Sequence, residues 1–208
     1  MNKPILGFEH VYQDNGGKKT LLLLHGTGGD ENDLIPLGTR LDSSANILSP
    51  RGKILEDGQL RFFKRLSPGI FDRQDLKLRS QELSEFLVEC SKIYNFPLDS
   101  VTAVGYSNGA NIALHLLASN FGVLNKAILL RPMATALPDE LADLSGVRLL
   151  VLSGLADPMI SLDDAQSLVK ILQAQNSDVE FHALPAGHGL TAEDVRYAQE
   201  WLNKLFMV

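Results

Sequence analysis

The sequence predicts an α/β fold: a mostly parallel sheet of about seven strands with helices on both faces. Three observations predict it. Short apolar runs of strand length alternate along the chain with longer stretches of helical period. The runs are almost continuously hydrophobic and close at Gly or Pro, as strands buried on both faces do. Strand–helix alternation with right-handed crossovers then generates a parallel sheet.

The runs are "TLLLLHG", "NILSP", "SVTAVG", "KAILLRP", "VRLLVLSG" and "DVEFHALP", and "ILGFEHVY" near the start adds one more. Between them, Leu83, Phe86, Leu87, Cys90 and Tyr94 recur at three and four, so one stripe of a helix faces a core. Ser161 with Asp164, and Thr191 with Asp194, carry the Ser/Thr-x-x-acid signal of a helix start. Val195, Ala198, Leu202 and Leu205 continue the second of these as an apolar face. The stretch after Ser107 is apolar nearly all round, which predicts a helix enclosed in the interior.

A chain of 208 residues suits one domain, 1–208, with a substantial core. The net charge of −6 argues against a nucleic-acid partner, because phosphate neutralisation needs a basic footprint. The lone Cys90 excludes an intrachain disulfide, and the longest early apolar run, Leu21 to Leu24, is far too short for a membrane span. The opening "MNKPILGFEH" contains no secretory apolar segment, so a cytoplasmic protein is expected. Charge is uneven, however. Between Arg51 and Arg73 six basic residues face three acidic ones, a local excess of +3. This segment, 51–73, follows a predicted strand end and is expected to form a lid-like excursion beside the site.

The most informative stretch is "AVGYSNGANIAL". Gly105, Tyr106, Ser107, Asn108 and Gly109 form G-x-S-x-G between an apolar strand and a helix. A sharp strand-to-helix turn leaves little room two positions either side of the bend, which glycine suits, and lifts the serine hydroxyl above the sheet edge. A serine hydroxyl needs a base. His115 lies in the same helix, about 12 Å along its axis. His182 sits inside a strand, and His10 lies in an N-terminal stretch away from the parallel strand ends. His25, closing "LLLLHG", is the only rival to His188, which lies in the glycine-flanked loop "PAGHGL" after the last strand. His188 is the expected base. A carboxylate must fix its tautomer. Asp157, in the loop after "VRLLVLSG", is preferred over Asp163 and Asp164, whose place at a helix start is favoured by the dipole alone. Oxyanion donors are expected from the backbone N–H groups of Asn108 and of Thr27, in the glycine-rich "HGTGGDEND".

With these pieces placed, the sequence resembles the α/β-hydrolase superfamily, and within it the small cap-poor carboxylesterase/phospholipase family, relatives of the dienelactone hydrolases. The matching motifs are "LLLLHGTGGDEND", "ILSPRG", "AVGYSNGANIAL", "LSGLADPMI" and "AGHGL". The resemblance implies an α/β-hydrolase fold with a minimal lid and hydrolysis of carboxylic esters without a metal or organic cofactor. It assigns Ser107, Asp157 and His188 as a triad, Thr27 and Asn108 as the oxyanion hole, and His25 as a residue shaping the oxyanion loop. The expected partner is a small-molecule ester, with no membrane or nucleic acid involved and a homodimer as a compatible assembly. Dienelactone hydrolases proper carry a cysteine nucleophile where this chain has Ser107, and Cys90 lies instead on a helix core stripe. The 51–73 segment is short for a lid, which argues against action on long-chain lipids.

Within that segment Phe62, Phe63 and Phe71 sit among basic residues. The aromatics either anchor the excursion to the body or line an acyl pocket. In the second case Phe62, Phe63, Arg61 and, from the other side, Ile160 would contact substrate, and Arg51, Arg61 or Lys64 would attract an ester bearing a carboxylate. Thioesterase, lysophospholipase and peptidase chemistry share the same groups, and a scaffold that binds without catalysis is the remaining reading. A dinucleotide site is excluded, because the fingerprint would need glycine where Glu31 stands.

Overall fold

The computed structural model describes residues 3–67, 69–119 and 121–205. Pro68, inside the basic segment, and the outermost residues of the 1–208 chain lie outside the described residues. In chain order the elements begin with β1 (His10–Gln13), β2 (Thr20–Leu24), α1 (Ile35–Leu41) and β3 (Asn46–Pro50). Four short strands follow: β4 (Ile54–Glu56), β5 (Gln59–Arg61), β6 (Arg65–Ser67) and β7 (Ile70–Phe71). Then come α2 (Arg73–Ile93), β8 (Val101–Tyr106), α3 (Asn108–Ala118) and β9 (Lys126–Leu130). The chain continues through β10 (Arg148–Gly154), α4 (Leu162–Ala174), β11 (Asp178–Leu184) and α5 (Ala192–Leu205).

Seven strands form one sheet in the order β1-β3-β2-β8-β9-β10-β11. Every neighbouring pair is parallel except β1 with β3. The continuous hydrophobicity of the strands has a simple cause: alternate residues enter two different cores. Leu22, Leu24, Leu48, Ala103, Leu129 and Val151 pack on one side with residues of α2, α3 and α4. Leu21, Leu23, Ile47, Val104, Ile128 and Leu152 pack on the other with α1 and α5. Among the described residues no helix is long and apolar enough to cross a membrane.

The helix signals act as the pattern requires. The Ser161 hydroxyl accepts the Asp164 N–H at the start of α4. All of α3 is buried, and the Leu83–Cys90 stripe of α2 lies in the core. Tyr94, just past α2, reaches β1, where its hydroxyl is 2.7 Å from His10 Nε2. His10 is placed differently from expectation. It pairs with Pro50, the last residue of β3, so it lies level with a carboxyl strand end, but on the outermost strand and buried against Tyr94. The short α1 carries no clear sequence signal, since Pro36 and Gly38 both read as turn residues. A Cβ at Gly38 would lie 2.8 Å from a terminal methyl of Leu23, so α1 packs closely on β2 there.

The described residues of the 51–73 segment carry two small antiparallel strand pairs, β4–β5 and β6–β7, and several of them border the cleft that also holds Ser107. Asp57 and Gly58, with φ of 51° and 76°, make the tight turn that an Asp-Gly pair favours between twisted strands. The local positive charge is met from outside the segment: Arg51 pairs with Glu31, Lys53 with Glu82 and Arg73 with Asp139. Arg61 and Arg65 share Glu56. Those three outside carboxylates offset the excess of +3.

Two outcomes follow from the packing. A Cβ at Gly109 would sit 1.9 Å from the Leu24 carbonyl oxygen, and one at Gly105 2.5 Å from that of Gly109. Either Gly→Ala change should destabilise by about 1–3 kcal/mol or more, lowering the thermal midpoint by roughly 3–10 °C; an unchanged midpoint contradicts the close approach. His115, donating Nδ1–H to the Ala136 carbonyl, has its pKa lowered, chiefly by burial. Its contribution is intact above about pH 6.5 and is lost as pH falls below that toward the folded-state value, because only the unfolded histidine takes up the proton. The decline in stability below about pH 6.5 should therefore be shallower in His115→Gln than in the parent; equal slopes contradict it.

Candidate active site

Ser107 joins β8 to α3 with φ 51° and ψ −110°, outside the regions where L-residues rest comfortably. Such a conformation costs about 1–3 kcal/mol and persists only where the surroundings impose it. Here Gly105 and Gly109 allow the turn to close, and the Ser107 N–H donates to the Leu130 carbonyl at 2.9 Å. The serine does not cap α3 with its side chain. Its Oγ lies 2.9 Å from His188 Nε2.

His188 Nδ1 lies 2.8 Å from Asp157 Oδ2. A carboxylate only accepts, so Nδ1 carries the proton and Nε2 is free to accept from the Ser107 hydroxyl. The Asp157 side chain is fully buried, and its Oδ1 accepts the Met159 N–H at 2.9 Å. The loops carrying the two residues are stitched together. Leu155 N–H donates to Leu184 O at 2.8 Å, and Ala156 N–H to Ala186 O at 2.9 Å. Gly154 permits this, since a Cβ there would lie 2.2 Å from the Gly187 oxygen. Asp163 and Asp164 are exposed in the first turn of α4, where the Ser161 hydroxyl donates to Asp164.

His25 is placed as a structural residue. Its Nδ1–H donates to the Gly26 carbonyl and its Nε2 accepts the Gly52 N–H, so it is neutral and both ring nitrogens are used. Burial lowers its pKa further. It thus ties the loop after β2 to the loop after β3. His182 lies on the α5 side of the sheet, stacked on Tyr197 and bonded to Glu180. Cys90 is buried and its thiol pushed up to about 12 by burial, which makes it inert.

Thr27 and Asn108 border the same cleft as Ser107 and His188. Both are held by the segment around β5. Arg61 Nη1 donates to Thr27 Oγ1 at 2.7 Å, the Gly28 N–H donates to the Leu60 carbonyl at 2.9 Å, and the Phe62 N–H donates to Asn108 Oδ1 at 2.7 Å. Arg61 is itself buried, with burial lowering its pKa, and its Nε donates to the Phe63 carbonyl.

Three expected substrate contacts are corrected. Phe62 and Phe63 point into the core, 2% and 0% exposed, because this stretch between the hairpins has no strand alternation and both rings join the α2–α3 core. Ile160 is buried at the start of α4, and its neighbour Met159 borders the cleft instead. Arg61 does border it, but its guanidinium is taken up by Thr27, Phe63 and Glu56. Arg51 is engaged by Glu31. The cleft, about 300 Å³, is instead completed by Arg65, Phe71, Asn111 and Met133. Asp57-Gly58 signals only the β4–β5 turn, whereas Arg65 and Phe71 come from β6 and β7. Nothing in the sequence singles out Asn111 or Met133, although Asn111 Oδ1 accepts the Met133 N–H.

Comparison with known proteins identifies the family. The model of the dienelactone hydrolase family matches residues 70–203. The Bacillus subtilis (strain 168) protein named "Putative hydrolase MhqD" is 41% identical over 94% of this chain and 98% of its own. Among solved structures, the Bacillus cereus carboxylesterase superposes with a TM-score of 0.91 at 44% identity, covering 96% of this chain and 95% of that one. The carboxylesterase from Mesorhizobium loti gives 0.87 at 32% identity, with 92% of each chain covered. The chain has the α/β-hydrolase fold, is a hydrolase, and belongs to the dienelactone hydrolase family.

Proposed function

We propose that the chain hydrolyses carboxylic esters of small to medium size through a covalent acyl-enzyme on Ser107. The observation that carries this is the pair of hydrogen bonds linking Ser107 Oγ, His188 and Asp157, at 2.9 and 2.8 Å, at the carboxyl edge of the sheet. His188 Nε2 takes the Ser107 proton as Oγ attacks the ester carbonyl. Asp157 holds the ring in the required tautomer and stabilises the imidazolium. The N–H groups of Thr27 and Asn108 receive the developing oxyanion. The alcohol leaves with the proton from His188. Water then gives a proton to the same nitrogen as it attacks the acyl-enzyme, and His188 passes that proton to Ser107 Oγ as the acid leaves. The two structural relatives are named as carboxylesterases, which supports the ester as substrate. The cleft of about 300 Å³ is at the small end of ligand sites and favours short acyl or alcohol groups.

Ser107→Ala should reduce kcat on a nitrophenyl ester by at least about 10³-fold, and the parent should lose kcat/KM steeply as the acyl chain lengthens. A mutant as active as the parent contradicts the nucleophile; a flat chain-length profile contradicts the size limit. Arg61→Gln should loosen Thr27 and lower kcat by about 10- to 100-fold, equally on a neutral ester and its carboxylated analogue. A loss confined to the carboxylated ester would make Arg61 a substrate-binding group instead.

A further inference from the structure

Arg131 follows β9 immediately, between the strand bearing Ser107 and the strand leading to Asp157, and its guanidinium has no exposure to solvent. A charge so deeply buried is costly unless every donor is satisfied. Here all of them are. Nη1 and Nη2 fork onto Asp194 Oδ1 and Oδ2 at 2.7 and 3.1 Å. The second Nη1 hydrogen reaches the Leu152 carbonyl at 3.2 Å. Nε donates to the Gly187 carbonyl at 3.2 Å, and Nη2 to the Gly189 carbonyl at 3.0 Å.

Those last two carbonyls flank His188. The His188 carbonyl between them accepts the Tyr106 hydroxyl at 3.2 Å. Three consecutive backbone oxygens of a glycine-rich loop are thus anchored to side-chain donors, two of them on the buried Arg131. Asp194 is held in turn, since its Oδ2 also accepts the N–H and hydroxyl of Thr191 at 2.7 and 2.9 Å. The acid of the Thr191–Asp194 helix start therefore does more than begin α5. At its other end Arg131 is tied to the serine bend, because the residue before it, Leu130, accepts the Ser107 N–H. Arg131 itself is bent back with φ 61°, a left-handed conformation that a non-glycine residue adopts only under constraint.

We propose that Arg131, locked by Asp194, is the positioning residue that holds the His188 loop in register with Ser107. The inference rests on the reading of His188 as the general base. Glycine on both sides of His188 leaves that loop with little conformational preference of its own, so the guanidinium supplies the order that the sequence of the loop lacks. A misplacement of about 1 Å in such a base costs on the order of 10²-fold in rate.

Two variants separate position from fold. Arg131→Lys keeps the buried charge beside Asp194, but a lysine cannot fork to both flanking carbonyls. Arg131→Met/Asp194→Leu removes both charges together, so that neither is left buried without its partner. Each is assayed below its own melting midpoint with active sites counted by the nitrophenolate burst. Per active site, kcat is expected to fall about 10²-fold in both, with KM within about twofold. Folded protein of either variant with kcat within about threefold of the parent overturns the proposal. So does a loss explained wholly by fewer active sites. Ser107→Ala run in parallel distinguishes the two levels. If it stays active, the acyl-enzyme reading fails; if it is dead while the Arg131 variants turn over normally, only the positioning role fails.

Discussion

The backward bend at Ser107 is the constraint on which the rest of the structure depends. It takes β8 out of the sheet and returns it as α3 within a single residue, with that residue in a strained conformation. The bend closes only because Gly105 and Gly109 let α3 press against β8 and against the end of β2. The same closeness buries every residue of α3 and aims the first turn of the helix at the cleft. Local strain of this kind is held by the surrounding packing.

Around that bend, the site is assembled from loops that are each tied to another. The β5 segment grips the loops of Thr27 and Asn108 through Arg61, Leu60 and Phe62. His25 joins the loops after β2 and β3. The loops of Asp157 and His188 share backbone hydrogen bonds. Energetically these ties differ from the exposed ion pairs. Arg196 with Glu200 is an exposed pair of a kind worth well under about 1 kcal/mol, whereas Arg131 with Asp194 lies in the interior, where breaking one partner leaves an uncompensated charge.

Much of this was legible in the sequence, for definite reasons. Parallel strands buried on both faces read as unbroken apolar runs, so β2, β3, β8, β9, β10 and β11 stand out. Paired glycines around Ser107 mark the bend, and residues following strand ends, such as Asp157 and His188, fall at one edge of a parallel sheet by topology alone. What stayed hidden depends on contacts remote in the chain. The +3 excess of residues 51–73 is answered by Glu31, Glu82 and Asp139, which no window along the sequence brings together. Phe62 and Phe63 fitted both an anchor to the body and a pocket lining, and their burial in the core decides for the anchor, since adjacent rings outside a strand can both turn inward. Arg131 gives no sign of its partner in the sequence, because Asp194 lies 63 residues further along the chain.

The central claim is that the hydroxyl at the bend becomes covalently acylated during turnover. It is tested most directly by acid-quenching the parent protein in the steady state with a slowly deacylating nitrophenyl ester, then measuring intact mass and mapping the modified peptide. The account predicts one acyl group per chain, carried by the peptide containing Ser107 and absent when His188 is replaced. Undiminished turnover with no adduct at any quench time, or an adduct located on another residue, would contradict it.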